Sequence, residues 1–171
     1  KSTTLRWAAS CLHHSEYQIL WITASTGSIL EFYRQLLAEL EVDTASSSRA
    51  FLTRTIRRQV LELIREQKKK PVILIDEASL LRVDIFTELH TISQFEGDSK
   101  PWLPVVLAGQ KNLVDKLEYC SSAPLASRII ARSHLESVNL QLMNEYLTHH
   151  LKIAGVKRSP FEDAAITAIH Q

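Results

Sequence analysis

The stretch of the sequence that decides the fold is VILIDE, residues 72–77. Its first four residues are apolar and largely β-branched, which is typical of a strand that is buried on both faces in a parallel sheet. Two carboxylates, Asp76 and Glu77, follow directly. Parallel sheets hold their ligands outside the carboxyl ends of the strands. The stretch therefore predicts a central strand with an acidic pair at the edge where ligands bind.

The chemistry of the acidic pair has two interpretations. Hydrolysis of a nucleoside triphosphate needs one carboxylate at a strand end to hold the magnesium shell and a second to polarise the attacking water. Asp76 and Glu77 fit these two roles in that order. The alternative is a strand that happens to end in an acidic turn, because a pattern of six residues is short.

The rest of the chain alternates between helical and strand patterns without internal repeats. This alternation predicts an α/β fold, in which a parallel sheet is covered by helices. The predicted helices cover residues 1–13, 29–40, 84–95, 112–119, 124–132, 141–154 and 160–169, together with a basic helix that Pro71 is expected to stop. The predicted strands cover residues 17–24, 72–75, 103–109 and 134–139, and the third is expected to be buried. We assign residues 1–139 to the α/β core and 140–171 to the start of a helical lid.

Composition limits the class of protein. The chain has 171 residues, 45% of them hydrophobic, which suits one globular domain with its own core. The apolar runs are strand-sized, far below the roughly 20 residues that span a bilayer, so we expect no membrane segment. Cys11 and Cys120 form no disulfide framework and are interpreted as packing residues. With no signal-peptide pattern at its start, the chain is expected to be cytoplasmic.

Residues 49–70 carry an excess of positive charge, although the whole chain has a net charge of only +1. Two acidic residues in this segment face eight basic ones: Arg49, Arg54, Arg57, Arg58, Arg65, Lys68, Lys69 and Lys70. A helical stripe predicts the buried face: Leu52, Ile56, Val60, Leu63 and Ile64. The serines at 46–48 predict a loop and an N-cap. All the basic residues except Arg65 are candidate DNA contacts, and a solvated helix face is the alternative.

The sequence begins with Lys1-Ser2-Thr3, immediately before a helical pattern. A P-loop ends in Gly-Lys-Ser/Thr, where the lysine meets the phosphates, the hydroxyl ligates magnesium and the helix N-terminus supplies amide donors. The glycine-rich half of that motif is absent here. The order is nevertheless that of a P-loop ATPase, because roughly seventy residues separate Lys1-Ser2-Thr3 from Asp76-Glu77. Lys1, Ser2, Thr3 and Asp76 are thus the candidate ATP-binding residues, with Ser2 and Asp76 as magnesium ligands.

These ordered motifs together resemble the AAA+ ATPases of the ExeA/TniB group, a family of general secretion pathway protein A-like and transposition helper ATPases. The resemblance covers essentially the whole chain. It rests on KST at 1–3, VILIDEA at 72–78, VVLAGQ at 105–110, LASRI at 125–129 and NEYLTHHLKIAG at 144–155. It implies the AAA+ form of the P-loop fold, ATP and Mg²⁺ as cofactors, and an oligomer that forms with nucleotide.

The resemblance also assigns roles to residues. Gln110 occupies the sensor 1 position, where a polar side chain contacts the γ-phosphate or the attacking water. Arg128 corresponds to the arginine finger that a neighbouring subunit supplies, and Arg132 is the alternative. Ser79 departs from the family, which usually has Gln or His there. By the same resemblance, the first strand and the glycine loop are expected upstream of Lys1, and the sensor 2 arginine beyond Gln171.

Three functions follow from these patterns. The first is an ATPase that oligomerises with nucleotide and acts on DNA or on a DNA-bound transposase, which the basic segment favours. The second is a nucleotide-gated assembly factor of a secretion system with no role in DNA binding. The third is a binding module without catalysis, against which the intact Asp76 and Glu77 argue.

Overall fold

The computed structural model describes residues 2–156 and 159–170. In chain order the elements are α1 (Ser2–Ser10), β1 (Tyr17–Thr23), α2 (Ile29–Glu39), α3 (Arg49–Arg65), β2 (Lys70–Asp76), α4 (Val83–Ser93), β3 (Val105–Leu107), α5 (Asn112–Glu118), α6 (Ala123–Ala126), α7 (Leu140–Ile153) and α8 (Asp163–His170). Short 3₁₀ helices cover Ala78–Leu80, Glu96–Asp98 and Cys120–Ser122. The chain divides into two compact units, Lys1–Ala131 and Arg132–Gln171. From the sequence alone, the core is expected to end at residue 139.

The three strands form one parallel sheet in the order β1-β2-β3. Leu20 of β1 pairs with Ile73 of β2, and Ile73 pairs on its other side with Val105 of β3. Every residue of β2 after Lys70 is buried. The structure thus confirms the predicted α/β class and the prediction that residues 72–75 form a buried central strand, with the acidic pair at its end.

Helices cover both faces of β2, because alternate residues of a strand point to opposite faces. Ile73 and Ile75 belong to the larger apolar cluster, together with α2, α3 and α4. Val72 and Leu74 belong to a second cluster, with Leu5 of α1. Continuous apolar sequence is what such burial on both faces requires.

The starts of the helices follow from local capping residues. Ser28 caps α2 in a capping box with Glu31, each side chain accepting a hydrogen bond from the other residue's backbone N–H. Ser48 caps α3 by accepting a hydrogen bond from the N–H of Phe51, which confirms the N-cap predicted within residues 46–48. Asn139 caps α7 in the same way, through the N–H of Leu142 at 2.8 Å. These caps supply hydrogen-bond acceptors for N–H groups in the first helical turns that have no partner within the helix.

The predicted end of the basic helix is wrong. The helix α3 ends at Arg65, and Lys68 takes a left-handed backbone conformation with φ 56° before the chain enters β2. Pro71 is the second residue of that strand. The N–H of Ile73 points to the β3 side, where it donates to the oxygen of Pro104. The nitrogen of Pro71 points to the same side, but β3 does not extend that far along β2. The missing N–H of proline therefore costs the sheet no hydrogen bond.

Two of the predicted strands also differ from the structure. The strand β3 covers only Val105–Leu107, and it is partly exposed, with Val106 at 42%. It is an edge strand within the described sheet, so one of its sides carries no ladder. Residues 134–139 are all exposed and form no strand in the described chain. An alternating pattern becomes a strand only where a neighbouring strand satisfies its backbone groups, and none of the three described strands pairs with these residues.

The sixth helix is shorter than predicted, ending at Ala126 instead of residue 132. The Ser127 hydroxyl donates to the oxygen of Pro124 at 2.9 Å, a local bond that competes with continuation of the helix. The interpretation of both cysteines as packing residues is wrong as well. Cys11 lies in the turn after α1 and Cys120 begins a 3₁₀ helix, and both are exposed.

Candidate functional site

Asp76 is the last residue of β2 and lies at the carboxyl edge of the sheet. It is buried, and its backbone oxygen accepts a hydrogen bond from the N–H of Ala24 at 2.9 Å. Its carboxylate is oriented locally, because Oδ1 accepts from the N–H of Glu77 at 2.9 Å. The other oxygen, Oδ2, accepts no hydrogen bond from the part of the chain that is described. An oriented carboxylate with one available oxygen is a suitable ligand for a hard cation such as Mg²⁺.

Glu77 has a left-handed backbone conformation, with φ 51° and ψ 35°. This conformation costs a residue other than glycine about 1 to 2 kcal/mol and persists only where the surroundings enforce it. The enforcement comes from β3. The N–H of Ala108 donates to the oxygen of Ile75 at 2.9 Å, and its oxygen accepts from the N–H of Ala78 at 2.8 Å. Glu77 is therefore looped out between two fixed points, with its side chain only partly buried.

Gln110 lies at the same edge, because it follows Ala108 by two residues. The residue between them, Gly109, approaches the neighbouring turn closely. A Cβ on Gly109 would lie 2.8 Å from the backbone nitrogen of Ser79 and 3.0 Å from Leu113. The absence of a side chain at Gly109 thus brings the segment before α5 directly against the turn that carries Glu77. The structure places Asp76, Glu77 and Gln110 together at one edge of the sheet.

Lys116 also acts on this turn, and the sequence patterns do not reveal it. Its Nζ donates to the oxygen of Ser79 and to the oxygen of Leu81, each at 2.7 Å. These carbonyls belong to the end of the 3₁₀ helix Ala78–Leu80 and the residue after it. A cation at the carboxyl end of a helix completes the hydrogen bonding of its last carbonyls. The only sequence signal is a basic residue in the last turn of a helix, which is common.

The residues at the start of the sequence are only partly described. Lys1 lies outside the described residues. Ser2 and Thr3 form the first turn of α1, Ser2 partly buried and Thr3 exposed. The helix α1 packs on β2 through Leu5, but no described contact joins Ser2 or Thr3 to Asp76. Among the described residues, the structure therefore brings the acidic pair and Gln110 together but does not join Ser2 or Thr3 to them.

Arg128 follows α6 in a turn and is partly buried. Its N–H donates to the oxygen of Leu125 at 3.0 Å, and Leu125 is part of the larger apolar cluster. The backbone at Arg128 is therefore held by the core of its own unit. Arg132, the alternative finger, begins the second unit and is exposed.

One basic residue of α3, Arg49, is itself exposed but pairs with a buried carboxylate. Glu88 of α4 is 3% exposed, accepts a hydrogen bond from the Tyr33 hydroxyl and forms a two-pronged ion pair with Arg49, whose Nε lies 3.0 Å from Oε2. Burial, and then the hydrogen bond to Glu88, raise the pKa of Tyr33 to about 12. The tyrosine therefore stays a hydrogen-bond donor at neutral pH. Arg49 serves to neutralise Glu88 and to join α3 to α4.

Four other basic residues of the segment also contact their own fold. Arg57 donates to the backbone oxygens of Thr91 and Gln94 and lies over the Phe95 ring. The remaining contacts are Arg65 with Glu96 at 3.7 Å and with the Trp102 ring, Lys69 with Gln18 at 3.4 Å, and Lys70 with Glu16 at 3.9 Å and with the Tyr17 ring. A guanidinium that donates to two carbonyls is held in place by the structure.

Three basic residues of the segment are exposed and make no such contacts. Arg54 and Arg58 lie on α3, and Lys68 lies in the turn that follows it. None of the three side chains has a hydrogen bond, ion pair or ring contact with another described residue. The structure thus reduces seven candidate DNA contacts to three side chains that are fully available to a phosphate.

Comparisons with known proteins identify the family and the fold of this chain. The family model described as AAA domain matches residues 1–117, a range that includes Asp76, Glu77 and Gln110. General secretion pathway protein A of Aeromonas hydrophila is 34% identical to this chain over 103 residues. The aligned part is 60% of this chain and 19% of that relative, so the chain spans less than two thirds of the length of the relative that it matches.

A solved structure has the same fold. The crystal structure of Cdc6p from Pyrobaculum aerophilum superposes with a TM-score of 0.69, covering 99% of this chain and 44% of that chain. The sequence identity is 17%, so this likeness concerns the fold alone. As for membranes, no helix among the described residues has the length and apolar character needed to cross a bilayer.

The close approach of Gly109 leads to a first prediction, for Gly109→Ala. The added Cβ meets a backbone atom that cannot rotate away, so the turn at Ser79 must shift. We expect the free energy of unfolding to fall by about 1 to 3 kcal/mol. We also expect faster hydrogen exchange at the N–H of Ala78, because its bond to Ala108 is strained.

The control is Gly155→Ala, where an added Cβ meets nothing within 4 Å and the cost comes from the backbone, whose φ is +79°. Exchange at Ala78 should be the same in this control as in the parent protein. Equal exchange at Ala78 in Gly109→Ala and the parent would show that Gly109 does not set the position of the turn.

Proposed function

The chain belongs to the AAA domain family, as its resemblance to the AAA+ ATPases of the ExeA type indicates, and from this membership we propose that it binds ATP with magnesium and hydrolyses it at the carboxyl edge of its sheet. The observation that carries the proposal is the acidic pair at the end of β2. Asp76 is buried and oriented, and Glu77 is looped out between two backbone hydrogen bonds to Ala108. This fixed arrangement supports the proposal, because catalysis of phosphoryl transfer depends largely on positioning.

Each residue of the site has a proposed role. Asp76 and the Ser2 hydroxyl would hold the magnesium shell, and magnesium bound there would neutralise charge on the phosphates. Lys1 and Thr3 contact the phosphates at the start of α1. Glu77 orients the attacking water and accepts its proton, and Gln110 contacts the γ-phosphate or that water. We propose that residues 140–171, which include α7 and α8, form the start of a helical lid.

The proposed role of Glu77 predicts the behaviour of Glu77→Gln. The amide keeps the shape of the side chain but accepts a proton poorly, so we expect ATP turnover to fall by about 100-fold or more. The affinity for ATP should be retained. Turnover and nucleotide binding are measured separately on the full-length protein.

The control for this variant is Glu118→Gln, an exposed position in the last turn of α5. It should hydrolyse ATP like the parent. If Glu77→Gln does so too, Glu77 does not orient the water. A parent protein that binds ATP but never hydrolyses it would favour a binding module without catalysis.

We further propose that the active form is a homo-oligomer in which Arg128 reaches the nucleotide of a neighbouring subunit. The support is the resemblance of LASRI at 125–129 to the family segment that carries the finger, and the fixed backbone of Arg128, whose N–H donates to the oxygen of Leu125. An arginine supplied in trans stabilises charge in the transition state by about 10³ to 10⁵ in rate.

Mixing two inactive variants tests this arrangement. Arg128→Ala keeps Glu77 but lacks the finger, and Glu77→Gln keeps the finger but lacks the base. In a ring with one finger per interface, an equal mixture should recover about a quarter of the parent activity, because half the sites have the base and half of those have the finger. A mixture that assembles but stays inactive would contradict a finger in trans. The same mixture made with Arg132→Ala tests the alternative residue.

For the client of the ATPase, we propose DNA or a DNA-bound transposase. The support is the set of three exposed basic residues Arg54, Arg58 and Lys68, which have no described partner. Phosphate contacts by such side chains give affinity with little base specificity, and they make binding fall steeply with salt. Arg49 and Arg57 are excluded from this role because their guanidinium groups hold the fold together.

The salt dependence of DNA affinity tests this surface. Replacing Arg54, Arg58 and Lys68 together by Gln should reduce the slope of log affinity against log salt by up to about 3, since each phosphate that the protein no longer neutralises lowers it by roughly 0.9. Duplex affinity of the ATP-bound protein is measured at several salt concentrations. The control changes three exposed basic residues outside the segment to Gln: Arg6, Lys111 and Lys152.

An equal slope in the parent, the triple variant and the control would remove DNA contacts from this surface. The second candidate function would then be favoured, a nucleotide-gated assembly factor of a secretion system in the cytoplasm. One observation supports it directly, the 34% identity with general secretion pathway protein A.

A further inference from the structure

Lys116 is the one side chain of α5 that hydrogen-bonds to the turn that carries Glu77, among the contacts of the described residues. We propose that Lys116 is a positioning residue for ATP hydrolysis, which holds Glu77 in its left-handed conformation without contacting nucleotide. The inference rests on the proposed function, because it concerns the same site. It goes beyond the acidic pair and Gln110 by naming the side chain that fixes their relative position.

The contacts of Lys116 suit a clamp. Its ammonium group has three donors and no acceptor, and two donors are used on the oxygens of Ser79 and Leu81, both at 2.7 Å. Ser79 and Leu81 are themselves buried, so these carbonyls have little access to water. Bonds from an ionised donor are roughly twice as strong as neutral ones. The ammonium group therefore holds the far end of the turn, while Ala108 holds its near end.

The same clamp joins Glu77 to Gln110. The helix α5 follows Gln110 directly, and the oxygen of Gln110 accepts from the N–H of Leu113 at 2.9 Å. Gly109, before α5, lies against the backbone nitrogen of Ser79. Lys116, within α5, donates to the backbone oxygen of Ser79. Gln110 and the turn that carries Glu77 are thus joined through α5. The backbone of Ser79, at the position where the family usually has Gln or His, receives both contacts.

The test compares Lys116→Met with Lys116→Arg and with the control Lys111→Met. Lys111 immediately precedes α5, is exposed, and makes no side-chain contact with a described residue. In Lys116→Met we expect kcat for ATP to fall by about 10- to 100-fold, as small misplacements of catalytic groups do, with KM within about twofold of the parent. Lys116→Arg, which keeps the charge and donors, should recover most of the missing kcat. Lys111→Met should match the parent.

Hydrogen exchange gives a second readout that does not depend on turnover. The N–H groups of Ala78 and Leu80 lie in the turn and donate to Ala108 and Glu77. In Lys116→Met they should exchange faster than in the parent without nucleotide, while the N–H of Leu20 in β1 should not change. If Lys116→Met does not fold, Lys116→Gln is compared with the parent in the same two measurements.

The outcomes separate this inference from the proposed function. Parent-like kcat in Lys116→Met, a raised KM with unchanged kcat, or unchanged exchange at Ala78 and Leu80 would each overturn the role of Lys116 while ATP hydrolysis by the parent stands. A parent protein that does not hydrolyse ATP would overturn the proposed function, and the positioning role in hydrolysis with it. Faster exchange in that case would leave Lys116 as a purely structural contact.

Discussion

The burial of β2 on both faces is the constraint on which the rest of the structure depends. With α1 on one face and α2, α3 and α4 on the other, β2 can satisfy its backbone groups only through neighbouring strands. Parallel pairing with β1 and β3 does so, and it brings the carboxyl ends of all three strands to one edge. The chain leaves the buried strand after Asp76, so Glu77 is the first residue there that is partly exposed to solvent.

The parts of the fold that depend on local patterns could be predicted from the sequence. These local patterns are the apolar run of β2, the helical period of α2 and α3, and the N-cap Ser48. Each depends only on residues that are close to it in the sequence. Two of the errors concern non-local pairing. The pattern at 134–139 does not reveal whether a partner strand exists. Pro71 is compatible with a strand only because the pairing of β2 with β3 begins two residues later, at Ile73.

The residues of the candidate site also include some that could be predicted from the sequence and some that could not. Asp76, Glu77 and Gln110 could be found because strand ends and family motifs mark them. Lys116 and the close contact of Gly109 could not, because both depend on where α5 packs against the turn. The positions of charged residues in the sequence likewise do not reveal their contacts in the fold. Counting the basic residues of 49–70 cannot separate Arg49, which neutralises a buried carboxylate, from Arg54, which has no described partner.

The central claim is that the carboxylate of Asp76 holds magnesium at an ATP site, and the affinity for ATP with and without magnesium tests it most directly. Titration calorimetry on the full-length parent and on Asp76→Asn gives both values for each protein. The account predicts that magnesium tightens ATP binding by the parent and has little effect on ATP binding by Asp76→Asn, which still binds ATP weakly through the start of α1. An equal effect of magnesium on both proteins would contradict it.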